Sequence, residues 1–439
     1  MRLGRVALIA ILLGALALSA GARSSGAVFV AASPQAADTF SAAADFNTVV
    51  ASLSDPGTPL RGTVSLSASA TSDRGIATVV FQSSPAGAGT WSTICTVASA
   101  PYTCNFNTTA VADGLRDVRI VATDSAGYSK TPTIANRRVD NTAPASGMTN
   151  PGTPLRGTVT LNATGSDGGS GLASLTIQRS PAGAGTWTTV CTTATSPASC
   201  SLDTTTVADG LYDLRATATD AAGNATTSTV TSRRIDNTAP TVTMTDPGAS
   251  VAGTITLQST NADAGSGVAT VAYQYRTSPA GAWTSACSAA SSCSWSTASV
   301  ADGLYDFRAT ATDGAGNATT SAVISSRRID NTVPSSATMV DPGTPLSGTV
   351  ALSGTAADAG SGVATLLFQY APAGTSTWAT ACSSAASPYG CNWDTTAIAD
   401  GVYDMRALAT DGAGNQLASA TRSNRRVDNV APAVSLTDP

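Results

Sequence analysis

Cysteine and aspartate are the residues of this 439-residue sequence whose types and spacing suggest chemistry. Eight cysteines fall in four pairs: Cys95 and Cys104, Cys191 and Cys200, Cys287 and Cys293, Cys382 and Cys391. Each first cysteine stands four residues after a tryptophan (Trp91, Trp187, Trp283, Trp378), and each second cysteine nine residues before the aspartate of an Ala-Asp-Gly triplet. A structural zinc site takes four ligands in tight pairs, and a thioredoxin-type motif needs C-x-x-C. The sequence contains no histidine. That removes Ser-His-Asp and Cys-His catalysis, His-ligated zinc and histidine pH switching together. Disulfides within each pair are the reading that an even count favours in an exported chain; free thiols and pairing between units are the alternatives. Closing a loop of about ten residues removes unfolded-state entropy worth about 2.5–3 kcal/mol.

The aspartates lie in loops. "DGGSG" at 167–171 and "DAGSG" at 263–267 and 358–362 form one set, and Asp220, Asp313 and Asp411 head D-x-A-G-N turns. Asp140, Asp236, Asp330 and Asp428 sit in a recurring "RR-x-DN" segment. Calcium takes six to eight oxygen ligands, and an "RR-x-DN" segment facing the loops of a following unit is where such a set could assemble. Asp, Gly and Asn are also what tight turns use, and the neighbouring arginines are available to pair with these carboxylates. Turn chemistry is the simpler reading, so no catalytic, cofactor or metal site is assigned. Asn107, Asn162, Asn224 and Asn317 head Asn-x-Thr sequons, read as incidental in a threonine-rich chain. The four tryptophans before the cysteines read as core plugs beside the crosslink rather than as stacking platforms for a sugar. Trp295 and Trp393, present only in the last two units, have more claim to a surface role.

These residues recur because the chain repeats. "DPGTPLRGTV" at Asp55 returns as "NPGTPLRGTV" at Asn150, "DPGASVAGTI" at Asp246 and "DPGTPLSGTV" at Asp341, in steps of 95, 96 and 95 residues. Within a unit the apolar pattern has period two. In "LYDLRATATD" (211–220), Tyr212, Leu214, Ala216 and Ala218 share one face, the mark of a strand buried on one side. Turn chemistry separates such runs in "NPGTP", "SPAGAG" and "ADG". The count is about seven strands per unit, and no amphipathic helical pattern lies between them. The expectation is an all-β chain of four Ig-like (Greek-key) β-sandwich domains in tandem.

The segments "ADGLYDLRATATDAAGN" and "RRIDNTAPTV" resemble the bacterial Ig-like repeats of large secreted and cell-surface proteins. The resemblance spans all four copies and implies architecture far more than function. If the tyrosine of "LYD" packs at a sheet corner as in that family, the first copy does without it, since Arg116 replaces it and Tyr128 replaces the turn asparagine.

The expected division is a signal peptide at 1–22, a connector at 23–48, repeats at 49–143, 144–239, 240–333 and 334–431, and the start of a truncated fifth repeat at 432–439. Arg2, Arg5, the apolar run 6–22 and "Ala20-Gly21-Ala22" carry the export signal,. A net charge of -5 gives no basic face for nucleic acid,, and membrane contact is expected only through an uncleaved leader. Function is therefore read as that of a secreted or cell-surface spacer. The alternatives are an adhesin whose repeats bind glycan or protein, and the non-catalytic front of a larger exported enzyme. No nucleophile–base pair or paired-carboxylate site stands above turn chemistry, so the chain is read as non-enzymatic.

Overall fold

The computed structural model describes residues 29–30, 39–40 and 48–435. The expected signal peptide at 1–22, most of the expected connector and residues 436–439 of the expected fifth repeat lie outside these. Among the described residues no α-helix occurs, so none is long and apolar enough to cross a membrane.

The second repeat represents the others. Its seven strands are β1 (Ala145–Met148), β2 (Thr158–Ser166), β3 (Leu172–Pro181), β4 (Thr188–Thr193), β5 (Ala198–Asp203), β6 (Gly210–Asp220) and β7 (Ala225–Ile235). They form two antiparallel sheets, ordered β1-β2-β5 and β4-β3-β6-β7. Every other repeat has a three-stranded sheet built the same way and a four-stranded set equivalent to the second, in places carrying a short extra strand. Between β1 and β2 the chain crosses to the second sheet, where Leu155 makes a parallel bridge to Ile235. Leu60, Val251 and Leu346 do the same in the other units. That crossing explains the buried apolar residue five places after each Asp/Asn-Pro start.

Alternation sets the core. Along β6, Tyr212, Leu214, Ala216 and Ala218 point inward and their neighbours do not, as the pleat requires. The interior of this repeat is aliphatic apart from Tyr212, with Leu161, Leu175, Ile177 and Leu214 fully buried. Repeats three and four instead bury Tyr273 with Phe307, and Phe368.

Each unit holds one disulfide: Cys95–Cys104, Cys191–Cys200, Cys287–Cys293 and Cys382–Cys391, with Cα atoms 6.1–6.3 Å apart. Cys191 lies on β4 and Cys200 on β5, edge strands of different sheets. The crosslink therefore closes the open side of the sandwich, where no backbone ladder joins the sheets.

The four tryptophans before the cysteines reverse the sequence reading. Trp91, Trp187, Trp283 and Trp378 are only partly buried and sit beneath the guanidinium groups of Arg119, Arg215, Arg308 and Arg406, 4.0–4.2 Å away. Those arginines each donate from Nε to a glutamine, as Arg215 does to Gln178 at 2.8 Å. Trp295 and Trp393 are the core plugs, stacked on Tyr275 and Tyr370. The cause is a β-bulge in the β3–β4 pair, where Ile177 faces Cys191 but Gln178 faces Thr189. The extra residue reverses the alternation between cysteine and tryptophan.

The tyrosine of "LYD" is anchored at the sheet edge. Its hydroxyl donates to a carbonyl four residues upstream: Tyr212 to Ala208, Tyr305 to Ala301, Tyr403 to Ala399. The first repeat does not go without this bond. Arg116 Nη1 donates to Ala112 at 3.4 Å, and burial holds its guanidinium below the usual arginine range.

Candidate functional site

The inward phase of β6 does not stop at Ala218. One step further it places Asp220 inside the sandwich at its open end, 2% exposed. The β2–β3 loop brings Asp167 to the same end. Its Oδ2 accepts from the amides of Gly169 (3.0 Å) and Gly171 (2.6 Å), which folds the loop around the carboxylate. The preceding repeat supplies the third group. Asp140 follows its last strand directly and is fully buried. Asp140, Asp167 and Asp220 thus each offer a carboxylate oxygen within 4.8 Å of the others. The same meeting recurs for Asp236, Asp263 and Asp313, and for Asp330, Asp358 and Asp411.

A clamp of hydrogen bonds surrounds each cluster. The Ser170 amide donates to Asp140 Oδ2 at 2.6 Å. Asn224 Nδ2 lies within donor range of the Asp140 carbonyl (3.0 Å), the Thr142 carbonyl (3.4 Å) and Asp220 Oδ2 (2.7 Å). Asn317 and Asn415 do the same at the next two junctions. Asn224 and Asn317, two of the sequon asparagines, are thereby committed to the junction. Space is tight as well: a Cβ on Gly169 would stand 2.5 Å from the Asp140 carboxylate. Gly265 and Gly360 face Asp236 and Asp330 in the same way.

A second aspartate fixes each junction from below. Asp209, from the "ADG" turn, accepts from the Asn237 amide (2.9 Å) and the Thr238 hydroxyl (2.5 Å). Partial burial pushes its carboxyl up. The Thr238 hydroxyl and the Asn237 and Thr238 amides outweigh that and leave it below the usual carboxylate range. Asp302 is lowered too, chiefly by the Thr332 hydroxyl and the Asn331 amide.

The arginines do not neutralise the clusters. Arg137, Arg327 and Arg425 pair with Asp55, Asp246 and Asp341 of the "DPG" turns, and Arg233 donates to Asn150. Among the described residues none of the nine clustered carboxylates is in an ion pair. Among the described residues Asp428 joins no cluster, and it lies 3.3 Å from Arg426. Three carboxylates with no basic partner repel one another at this range. Oxygen-only donors of this kind suit a hard cation such as calcium.

The upstream end of the first repeat has no preceding domain among the described residues that form sandwiches. There Asp124 keeps its place, but Ser72 takes the position of Asp167 and donates to Asp124 at 3.2 Å, and Tyr128 takes that of Asn224. The turn still closes, with the Asp124 side chain accepting from the Ala126 and Tyr128 amides. The loop aspartate (Asp167, Asp263, Asp358) and the turn asparagine (Asn224, Asn317, Asn415) are thus dispensable for the turn and present at all three junctions between described repeats.

Three family models match the chain: a bacterial Ig domain over residues 48–120, a bacterial Ig-like domain of group 3 over 198–264, and a bacterial Ig-like domain over 238–331. No curated protein matches it. Among solved structures, a tetra-tandem repeat from the extending region of a large adhesion protein is 23% identical, with a TM-score of 0.31, over 87% of this chain and 100% of that one. Fibronectin(III)-like modules from Clostridium thermocellum are 17% identical, with a TM-score of 0.30, over 43% of this chain and 94% of theirs. A bacterial ice-binding adhesin is 20% identical, with a TM-score of 0.24, over 63% of this chain and 92% of that one.

Proposed function

We propose that this chain, a tandem array of bacterial Ig-like domains, works as a non-catalytic spacer outside the cell, holding what it is joined to at a distance. The observation that carries this reading is the clamp. At each of three junctions an asparagine and a serine of one repeat bond the aspartate and backbone of the repeat before it. Residues spent on fixing one domain against the next serve reach and stiffness. Disulfides closing each sandwich suit an oxidising exterior. With strands of about ten residues rising roughly 3.3 Å each, four units in line span roughly 130 Å.

A calcium-like cation shared by each carboxylate cluster would tighten the same junctions, since it favours the aligned arrangement over any in which the carboxylates part. Isothermal titration of the chain with calcium tests this part. Binding at three sites per chain, with a melting temperature raised by calcium and lowered by chelator, is the expected result. No heat, and a melting temperature indifferent to both, would remove the cation and leave the clamp alone.

A further inference from the structure

The three junctions are not equivalent. In the first, the Arg61 guanidinium of repeat one lies against the D-x-A-G-N turn of repeat two, with Nη1 3.4 Å from where a Cβ of Gly223 would stand. In the second, Arg156 Nη1 donates to the carbonyl of Gly316 in the matching turn of repeat three. Each arginine therefore acts as a strut from one repeat to the turn of the next, and among the described residues neither pairs with a clustered carboxylate. At the third junction the corresponding residue is Ala252, and no atom lies within 4 Å of a Cβ built on Gly414. The connection itself has the same reach: Ser335, five residues after Asp330, bonds the Ala357 carbonyl through its amide (2.8 Å) and hydroxyl (2.9 Å), as the Thr241 hydroxyl, five residues after Asp236, bonds the Ala262 carbonyl. The central clamp is retained, with Asn415 Nδ2 2.8 Å from the Asp330 carbonyl.

We infer that the third junction, between Asp330 and Ser336, is the hinge of the array, with repeats one to three moving as one stiff segment and repeat four swinging against them. A clamp at a single point fixes distance but leaves tilt, and a strut from one repeat to the next removes that freedom. One net hydrogen bond shifts an aligned-to-tilted equilibrium by about two- to tenfold. The inference deepens the spacer reading and rests on it for its purpose.

Double electron–electron resonance on the full chain tests it. Pairs of labels, carried on introduced unnatural side chains so that the disulfides stay intact, flank each junction in turn. The expected result is a broader distance distribution across the third junction than across the first or second. Ala252→Arg should narrow it, and Arg156→Ala should broaden the second junction toward it. Equally narrow distributions at all three would overturn the hinge and leave the stiff spacer standing. Equally broad ones would overturn both. A broad third junction that Ala252→Arg does not narrow would overturn the strut as the cause. Melting curves of each variant establish that the domains remain folded.

Discussion

Asp220 shows what a single residue type reveals in this chain. It closes an alternating strand on the inward phase, so the pattern that buries Ala216 and Ala218 also buries its carboxylate. That much was legible in "LYDLRATATD". The partner was not, because periodicity within one domain carries no information about how the next domain sits on it. The tryptophans teach the converse. Trp295 is two residues from Cys293 on one unbroken strand, so parity alone places it inside. Trp187 is an even number of residues from Cys191, but a bulge intervenes and parity fails. Arg116 makes a residue-scale prediction. It supplies the bond a tyrosine hydroxyl makes in the other repeats, while its own Nε is buried without a partner. Arg116→Tyr should stabilise repeat one by about 1–2 kcal/mol, read from chemical denaturation; a destabilised variant would contradict the equivalence.

Acid should act at the same scale. Asp113, Asp209 and Asp302 all lie below the usual carboxylate range in the folded chain. Groups with depressed folded values stabilise the fold above their unfolded value, about 3.9, and lose that contribution as pH falls through the folded one. The melting temperature should therefore hold from neutral pH down to about 5, where these groups stay ionised in both states, and drop below about pH 4. Asp302→Asn should lower the neutral-pH plateau and flatten the acid limb, as followed by circular dichroism. An unchanged acid limb would remove Asp302 from the account.

At the scale of elements, the crosslink joins β4 to β5 across the gap between sheets. The paired spacing and even count of cysteines were readable, whereas the strands they join were not, since adjacent strands in sequence need not share a sheet. The disulfide should matter most where the core is thinnest. Repeat two buries Leu161, Ile177 and Leu214 with Tyr212 as its one buried ring, while repeat three buries Tyr273, Trp295, Tyr305 and Phe307. Apolar burial stabilises by about 25 cal/mol per Å², so the smaller interior has less in reserve. Replacing Cys191 and Cys200 by serine should cost about 2–3 kcal/mol and make repeat two the first unit to unfold. Hydrogen exchange followed by mass spectrometry reports the order; repeat three opening first in that variant would contradict it.

At the scale of the molecule, the repeats, their strand count and the all-β class were plain in the sequence because the turn motifs and period-two runs recur in phase. Stiffness was not, for it depends on Asn224, Asn317 and Asn415 reaching back to the domain before. The first repeat marks the boundary of that design: at its upstream end Ser72 and Tyr128 stand where the later repeats have aspartate and asparagine. The measurement that bears most directly on the whole account is small-angle X-ray scattering of the chain beside its Asn224→Ala/Asn317→Ala/Asn415→Ala variant. The account predicts an elongated particle with a maximum dimension of roughly 130 Å or more, and a variant whose scattering turns to that of a flexibly jointed chain while its domains stay folded. Two indistinguishable curves, both of freely jointed beads, would contradict it.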